Sequence, residues 1–282
     1  MSTPPLGLLL DVDGPVASPE TRTVAPALLE DLGRLLGAGI PVVLNTGRSV
    51  DFVRERVLGP LLDRGLPAGA RLQAVCEKGA LWTTAGAEAV HLDAELAVPS
   101  SCRAVLDELV DGGYHDAMFV DTGKRTMATV EARTDVPAAF YAERQRAFGL
   151  DLAERLSAAG LGVLHGDHAL PDAAGRTPWR IDPSVIATDV ESVRSGKALG
   201  AHRALELLRE DGPLPRAWHT VGDSRSDYAM ADHLHGLGAE VVHVDVGPLP
   251  PLGRPYPVRV VAGAGYDAAG RAHLHELADH LT

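Results

Sequence analysis

The sequence predicts an α/β protein in which a doubly wound, mostly parallel Rossmann-like core sheet is interrupted by an inserted α+β domain. Two observations lead to this fold class. Short unbroken apolar runs alternate with amphipathic helical patterns at both ends of the chain, as in parallel strands joined by helices. The middle of the chain shows helices and hairpin strands without such runs. We therefore place the core at residues 1–83 and 187–282, and the inserted domain at residues 84–186.

The first core segment begins with an apolar run at Leu6–Leu10, followed by a leucine-rich helical pattern over residues 28–36. A second apolar run at residues 40–44 completes a strand, helix and strand, the start of a right-handed parallel unit. A helix over residues 49–64 and a strand that ends near Cys76 come next. These alternating elements predict the first half of a parallel sheet.

The remaining elements follow the same reasoning. In the inserted domain, Ser100 is expected to cap a helix. The other elements predicted there are strands over 117–120, 126–132 and 161–164 and a helix over 137–159. The elements predicted in the second core segment are helices over 196–209 and 267–281 and strands over 218–221, 239–246 and 258–262.

The composition restricts the possible partners. A formal net charge of −12 over 282 residues argues against nucleic acid, because phosphate backbones need clustered cations. No apolar stretch is long enough to span a membrane and residues 1–5 lack signal-peptide features, so we expect a cytoplasmic protein. Cys76 and Cys102 are expected to be buried small hydrophobic residues. Nothing in the sequence indicates an oligomeric state.

Two acids, Asp11 and Asp13, follow the first apolar run directly. Open α/β sheets bind ligands at the carboxyl ends of their strands, and Gly14 permits a sharp turn there. Two carboxylates in this position can bind a hard cation, and one can act as a nucleophile. Taken alone, the same four residues also fit an acidic turn without function.

Three further motifs fall at predicted strand ends or helix starts of the same sheet. They are Thr46-Gly47-Arg48, Lys197, and Gly222-Asp223-Ser224-Arg225-Ser226-Asp227. With Asp11-Val12-Asp13-Gly14, their type and order resemble the four motifs of the haloacid dehalogenase (HAD) superfamily. An insertion between the second and third motifs resembles members with a large α/β cap, which include sucrose, trehalose and mannosylglycerate phosphatases and phosphomannomutase. The turn Glu77-Lys78-Gly79-Ala80 is similar to the Glu-Asn-Gly-Ala turn that often precedes this cap.

The resemblance implies a role for each acid. Asp11 would attack phosphorus and form an aspartyl-phosphate, while Asp13 would protonate the leaving alkoxide and then deprotonate the hydrolytic water. Mg²⁺ would be held by the Asp11 carboxylate, the Asp13 backbone carbonyl and Asp223. Asp227 would act on the metal through water or orient its neighbours.

The resemblance also implies phosphate-binding residues. Thr46 would donate its hydroxyl, and backbone N–H groups around Gly47 would bind phosphate oxygens. Arg48 would contact phosphate or pair with an acid. Lys197 would neutralise the nucleophile and the phosphate.

The lysine motif departs from the superfamily pattern. Lys-Gly-x-Ala-Leu is common there, whereas Ser195 occupies the usual lysine position in this chain and Lys197 comes two residues later. A two-residue shift on a formed helix rotates a side chain by roughly 200°. We therefore expect the helix to begin at a different point of the motif if Lys197 is to reach the site.

Other polar clusters give weaker indications. Lys124, Arg125 and Arg180 of the inserted domain are candidates for contact with an anionic or polyhydroxylated substrate. The segment 165–168 is expected to be a surface turn, and the histidines of the second core segment are expected at helix and strand surfaces. These histidines are His233, His235 and His243.

The combined expectation is a Mg²⁺-dependent phosphomonoesterase that acts on a small phosphorylated metabolite, a sugar or polyol phosphate. A phosphomutase of the same architecture, which returns the phosphoryl group to a sugar, stays an alternative. A non-catalytic sugar-phosphate binding protein is the alternative outside enzymes, because fold does not fix function. Dehalogenase chemistry is a further alternative. It requires neither Asp13 nor a cation site, so it would leave both features without a role.

Overall fold

The computed structural model describes residues 3–282, so residues 1 and 2, where the predicted first core segment begins, lie outside it. The chain divides into two compact units. The first, which we call the core unit, comprises the described residues up to Leu92 together with Gly196–Thr282. The second, the inserted unit, is Asp93–Ser195. Each boundary lies somewhat later in the chain than the predicted insertion at residues 84–186.

The strands and helices are numbered in chain order. The strands are β1 (Leu6–Leu10), β2 (Val42–Asn45), β3 (Leu72–Cys76), β4 (Leu81–Thr84), β5 (His91–Leu92), β6 (Met118–Asp121), β7 (Ala128–Ala132), β8 (Val163–His165), β9 (His168–Leu170), β10 (Trp179–Pro183), β11 (Ala187–Ser192), β12 (Ala217–Gly222), β13 (Glu240–Asp245) and β14 (Val258–Val260). The helices are α1 (Pro26–Gly37), α2 (Val50–Val53), α3 (Gly59–Asp63), α4 (Ser100–Leu109), α5 (Ala138–Ala158), α6 (Lys197–Asp211), α7 (Tyr228–Gly236) and α8 (Tyr266–Leu281). A π-helical turn, Arg54–Leu58, joins α2 to α3, so the helix predicted over 49–64 is continuous but locally widened.

The core unit is built on one sheet of strand order β14-β13-β12-β1-β2-β3-β4-β5. Its first six strands are parallel, while β4 pairs antiparallel with β3 and β5 pairs antiparallel with β4. β1 is central and buried along its whole length, which explains its unbroken run of apolar residues. The doubly wound, mostly parallel core predicted from the sequence is confirmed.

Helices cover the core sheet by burying their apolar stripes. Leu9 and Val43 pack in one cluster with Ala204 of α6 and Met230 of α7. The neighbouring Leu8 and Leu10 are also fully buried, so the opposite face of the sheet is covered as well. A strand buried on both faces holds its carboxyl end rigidly, which matters for the residues that follow it.

The register of the parallel strands brings three carboxyl ends together. Leu10 of β1 lies opposite Val221 of β12 on one side and Leu44 of β2 on the other. The residues that follow these positions are therefore neighbours at one edge of the sheet. They include Asp11, Thr46 and Asp223.

The inserted unit is a sheet of order β6-β7-β11-β10-β8-β9 with α4 and α5 packed on one face. β6, β7 and β8 were predicted, whereas β10 and β11 were not. The sequence assigned residues 187–195 to the core, but β11 pairs with β7 and β10 inside this sheet. Four of the six residues of β11 are polar and they do not alternate with apolar ones, so the strand shows neither pattern by which strands are recognised.

Two smaller expectations are wrong. Ser100 does not cap α4, because the helix begins at Ser100 itself, and Pro99 precedes it without a side-chain cap. His243 is fully buried on β13, where it hydrogen-bonds to Thr220 at 2.8 Å and contacts the Tyr228 ring. A polar residue on an inner strand can be buried when it finds such a partner.

Other expectations hold. Cys76 and Cys102 are buried and are not joined in a disulfide. Residues 165–168 form the turn of the β8–β9 hairpin. In residues 3–282, no helix combines the length and the apolar character that crossing a membrane requires.

Candidate active site

The site lies at the carboxyl edge of the core sheet. Asp11 follows β1, Thr46 follows β2, and Asp223 follows β12. Lys197 is the first residue of α6 and Asp227 ends the short 3-10 turn before α7. The structure thus brings the four predicted motifs together in one unit.

The centre of the site is an ion-pair cluster around Lys197. Its Nζ lies 2.7 Å from Asp11 Oδ1 and 2.6 Å from Asp227 Oδ1. Nζ also donates a hydrogen bond of 2.9 Å to the Asn45 carbonyl oxygen. All three charged side chains are buried, so a single ammonium compensates two carboxylates away from water.

Burial and mutual charge shift the pKa values in this cluster. Burial raises the pKa of Asp11 well above its ordinary value, and the charges of Asp227 and Asp13 raise it further against the opposing effect of Lys197. Burial raises the pKa of Asp223 to about 7, again with a contribution from Asp227. Burial alone would lower the pKa of Lys197, but its two carboxylate partners raise it. With its acids ionised, the cluster carries more negative than positive charge, because the three carboxylates of Asp11, Asp223 and Asp227 lie beside one lysine.

A divalent cation would relieve this excess. Carboxylate oxygens of Asp11, Asp223 and Asp227 lie within 4.8 Å of one another. Hard oxygen donors at this separation suit Mg²⁺, which needs only a few protein ligands besides water. A Cβ at Gly14 would lie 2.5 Å from Asp223 Cγ, and its φ of 88° is left-handed, so glycine is required for Asp223 to approach the Asp13 loop. The residues present fit a magnesium site.

Asp227 differs from the other acids because both of its oxygens are engaged. Oδ1 pairs with Lys197, while Oδ2 accepts hydrogen bonds from the backbone N–H groups of Asp223 and Ser224, at 3.2 and 2.9 Å, and from the Ser224 hydroxyl at 2.7 Å. A Cβ at Gly222 would lie 2.2 Å from Asp227 Cβ, so glycine is needed there too. This arrangement suits an orienting role for Asp227 better than direct metal ligation.

Asp13 pairs with Arg48. Arg48 Nε donates to Asp13 Oδ2 at 2.8 Å and a terminal nitrogen donates to Oδ1 at 2.9 Å, a two-bond fork. The guanidinium also lies over the Phe52 ring, 4.6 Å from its centroid. Of the two roles foreseen for Arg48, this structure displays the pairing with an acid.

Thr46 and Gly47 form the start of the turn after β2. The Thr46 hydroxyl oxygen accepts a hydrogen bond of 3.1 Å from the Arg48 N–H, which leaves its own proton available for donation. Thr46 is buried and Ser49 caps α2 by accepting from the Phe52 N–H. The turn is therefore held in place by local hydrogen bonds.

The backbone before α6 compensates for the two-residue shift of the lysine, because the helix begins only at Lys197. Gly196 precedes the helix with φ 159° and ψ 172°, a conformation almost restricted to glycine. Lys197 is the first helical residue, so its side chain reaches Asp11 although Ser195 occupies the usual lysine position.

Sequence reasoning missed Asn45 and Gly200. The Asn45 side-chain amide donates to the Lys197 backbone carbonyl oxygen at 2.9 Å, and the Asn45 backbone carbonyl oxygen accepts from Lys197 Nζ. A Cβ at Gly200 would lie 1.9 Å from Asn45 Oδ1, so α6 can approach β2 only with glycine there. The sequence does contain one indication of a role for Asn45, because a polar asparagine ends an otherwise apolar buried strand.

The basic residues proposed for the inserted unit separate into two kinds. Arg180 pairs with Glu191 at 2.5 Å and donates to the Ser195 carbonyl oxygen, contacts that stabilise the end of its own sheet. Lys124 and Arg125 line a pocket of about 370 Å³ together with Arg103 of α4. Their contact with a substrate stays a prediction.

Comparisons with known proteins agree with this geometry. No protein-family model and no curated protein matches the chain. The structure is similar to the C-terminal domain of trehalose-6-phosphate phosphatase from C. albicans, at TM-score 0.67 and 15% identity over 98% of this chain and 93% of that one. It is similar to a haloacid dehalogenase-like hydrolase from Bacteroides thetaiotaomicron, at TM-score 0.60 and 12% identity over 96% and 98% of the two chains.

A third similar structure is sucrose-phosphatase from Synechocystis in complex with sucrose and phosphate, at TM-score 0.53 and 18% identity over 98% of both chains. Likeness at such low identity concerns the fold. The chain has the fold of haloacid dehalogenase-like hydrolases, as the resemblance of its four motifs implied.

Proposed function

We propose that this protein is a Mg²⁺-dependent phosphomonoesterase that hydrolyses a small sugar or polyol phosphate through an aspartyl-phosphate intermediate. The observation that carries the proposal is the position of Lys197, with Nζ 2.7 Å from Asp11 and 2.6 Å from Asp227. Lys197 is the residue that departs from the superfamily pattern in sequence. In the structure it nevertheless lies beside Asp11, the acid to which we assign the role of nucleophile.

The residues divide the reaction into two steps. An Asp11 oxygen bonds to phosphorus while the bond to the ester oxygen breaks, and Asp13 gives the departing alkoxide its proton. Asp13 then takes a proton from water as that water attacks phosphorus, which releases phosphate and restores the Asp11 carboxylate. Asp11, the Asp13 backbone carbonyl and Asp223 would hold Mg²⁺, which supplies positive charge beside the phosphoryl oxygens.

The pairing with Arg48 orients the Asp13 carboxyl group. Both Asp13 oxygens accept hydrogen bonds from Arg48. Because a protonated carboxyl oxygen donates rather than accepts, Asp13 must loosen part of this pairing to act as the acid. Thr46, Gly47 and Lys197 meanwhile bind and neutralise the phosphate.

The substrate class rests on the similar structures. One is named a trehalose-6-phosphate phosphatase, and another is a sucrose-phosphatase with sucrose and phosphate bound. We extend a sugar-phosphate substrate to this chain as part of the proposal. A cytoplasmic location and a small phosphorylated metabolite as partner belong to the same proposal.

The test is a phosphate-release screen over sugar, polyol and glycerate phosphates, with Mg²⁺ and with chelator. We expect release that depends on Mg²⁺ and a loss of roughly 10³-fold or more in Asp11→Asn, since an amide cannot replace the nucleophile. Unchanged Mg²⁺-dependent release in Asp11→Asn contradicts the mechanism.

Two other results would redirect the assignment. Conversion of a hexose 1-phosphate to the 6-phosphate, without free phosphate, would identify a phosphomutase. Tight binding of a sugar phosphate without turnover across the panel would identify a binding protein.

A further inference from the structure

A third cation, Lys78, lies beside the site in the turn Glu77–Gly79 that follows β3. β3 is the parallel neighbour of β2, so this turn lies at the same edge of the sheet as Thr46. The Lys78 N–H donates to the Thr46 carbonyl oxygen at 3.0 Å, and the Glu77 N–H donates to that of Arg48 at 3.2 Å. The turn is therefore fixed to the phosphate-binding loop by its backbone.

The same turn is fixed to α6 on its other side. The Gly196 N–H donates to the Lys78 carbonyl oxygen at 2.7 Å. A Cβ at Gly79 would lie 2.8 Å from Leu199 Cγ, so the turn and the helix are in close contact. Lys78 thus stands between the Thr46 loop and the helix that carries Lys197.

The Lys78 side chain extends over the phosphate-binding loop. A Cβ built on Gly47 would lie 3.6 Å from Lys78 Cε and 3.8 Å from its Cγ, so the aliphatic stem covers the Gly47 backbone. Lys78 is partly exposed, whereas Glu77 and Gly79 beside it are buried.

The backbone conformation at Lys78 does not favour lysine. Lys78 has φ 54° and ψ 39°, and Glu77 before it has φ 45°, both in the left-handed region. Asparagine adopts this conformation more readily than lysine does. The backbone conformation of the turn is therefore not a reason for lysine at this position, whereas its charge and length suit the loop beside it.

The negative charge of the site favours a further cation such as the Lys78 ammonium. Four carboxylates surround the site and face the cations Lys197 and Arg48; they are Asp11, Asp13, Asp223 and Asp227. A phosphate monoester brings two more negative charges, and one Mg²⁺ only offsets those. A further cation beside the bound phosphate would lower the cost of assembling this charge.

We propose that Lys78 is a phosphate-binding residue whose ammonium contacts an oxygen of the phosphate held at Thr46 and Gly47. This inference rests on the proposed function, because it assumes that the loop holds a phosphate. It adds a second lysine that the four motifs do not contain.

The test measures binding of inorganic phosphate by calorimetry in the presence of Mg²⁺, with Lys78→Asn, Lys78→Arg and the wild type compared. Lys78→Asn should weaken phosphate binding roughly 10- to 100-fold, as expected for one lost charge-assisted hydrogen bond. Its melting temperature should equal or exceed that of the wild type, because asparagine suits the left-handed backbone. Lys78→Arg should bind phosphate within a few-fold of the wild type.

Arg209→Met is the matched control, since Arg209 is exposed near the far end of α6, about 18 Å along the helix from Lys197. It removes one positive charge and should leave phosphate binding unchanged. Phosphate affinity in Lys78→Asn equal to the wild type overturns the inference, and so does an equal loss in Lys78→Asn and Arg209→Met. Hydrolysis that persists in Asp11→Asn would instead contradict the proposed mechanism. The calorimetric comparison of Lys78→Asn with the wild type would still test whether Lys78 binds phosphate.

Discussion

The replacement of Lys197 by methionine tests the centre of the site most directly. Methionine is unbranched and of similar length, so it fills much of the same space while it removes the ammonium. The wild-type Nζ makes contacts of 2.7, 2.6 and 2.9 Å with Asp11, Asp227 and the Asn45 carbonyl oxygen. All three acceptors lose this donor in the variant.

The size of the effect follows from burial. The side chain of Asp227 is 0% exposed and that of Asp11 10%, so neither carboxylate can recover full hydration when the cation is gone. Removal of one partner from a buried ion pair costs about 3–5 kcal/mol, and here one cation serves two carboxylates. We therefore expect Lys197→Met to lose about 4 kcal/mol of unfolding free energy at pH 7.5.

The assay is urea unfolding of the metal-free protein, followed by tryptophan fluorescence, with the midpoint and slope fitted together. The double variant Lys197→Met/Asp227→Asn gives a second measurement. Because it removes one uncompensated charge, we expect it to recover about 2 kcal/mol relative to Lys197→Met. Arg209→Met, which removes an exposed cation from the same helix, should change stability by less than about 0.5 kcal/mol.

Two outcomes would refute the reasoning. A loss below about 1 kcal/mol in Lys197→Met would mean that the ammonium does not compensate buried carboxylates. A double variant less stable than Lys197→Met would mean that the Asp227 charge is not the source of the loss.

Two further predictions concern acid stability and Asp13. Burial lowers the pKa of His273 to about 3, so its folded state disfavours the proton and stability falls as pH drops below the unfolded value of 6.5. From pH 7 to pH 5 this residue alone should cost the wild type about 2 kcal/mol, and His273→Leu should lack that slope in urea unfolding; equal slopes would contradict the assignment. Arg48→Met should lower kcat roughly tenfold or more in the proposed hydrolysis, with a smaller change in KM, because Arg48 pairs with Asp13. A large rise in KM at constant kcat would instead assign Arg48 to the phosphate.

Local pattern was sufficient for the long, strongly apolar elements. The run Leu6–Leu10 is buried on both faces of a parallel sheet, which is where a strand of five consecutive apolar residues is expected. β11 could not be found in this way, because Thr188, Asp189 and Glu191 interrupt its apolar positions. Its position in the sheet depends on pairing with β7, which is distant in the chain, as well as with the adjacent β10.

The burial of polar residues could not be predicted from the local sequence either. His243 resembles a surface residue of an alternating strand, yet Thr220 and Tyr228 provide a hydrogen bond and a ring contact that permit its burial. Both partners lie on other elements. A search of single segments could not identify them.

The sequence by itself determined the fold class and the chemical character of the site, because apolar periodicity and residue type are properties of short segments. Asp11, Thr46, Asp223 and Asp227 could be placed at strand ends and turns for that reason. Tertiary structure alone decided that Lys197 reaches Asp11. The start of α6 depends on Gly196 and its bond to Lys78, and on the bonds between Asn45 and Lys197, which join segments about 120 and 150 residues apart. The orientation of a side chain at the beginning of a helix is set by such long-range contacts, and no local pattern contains them.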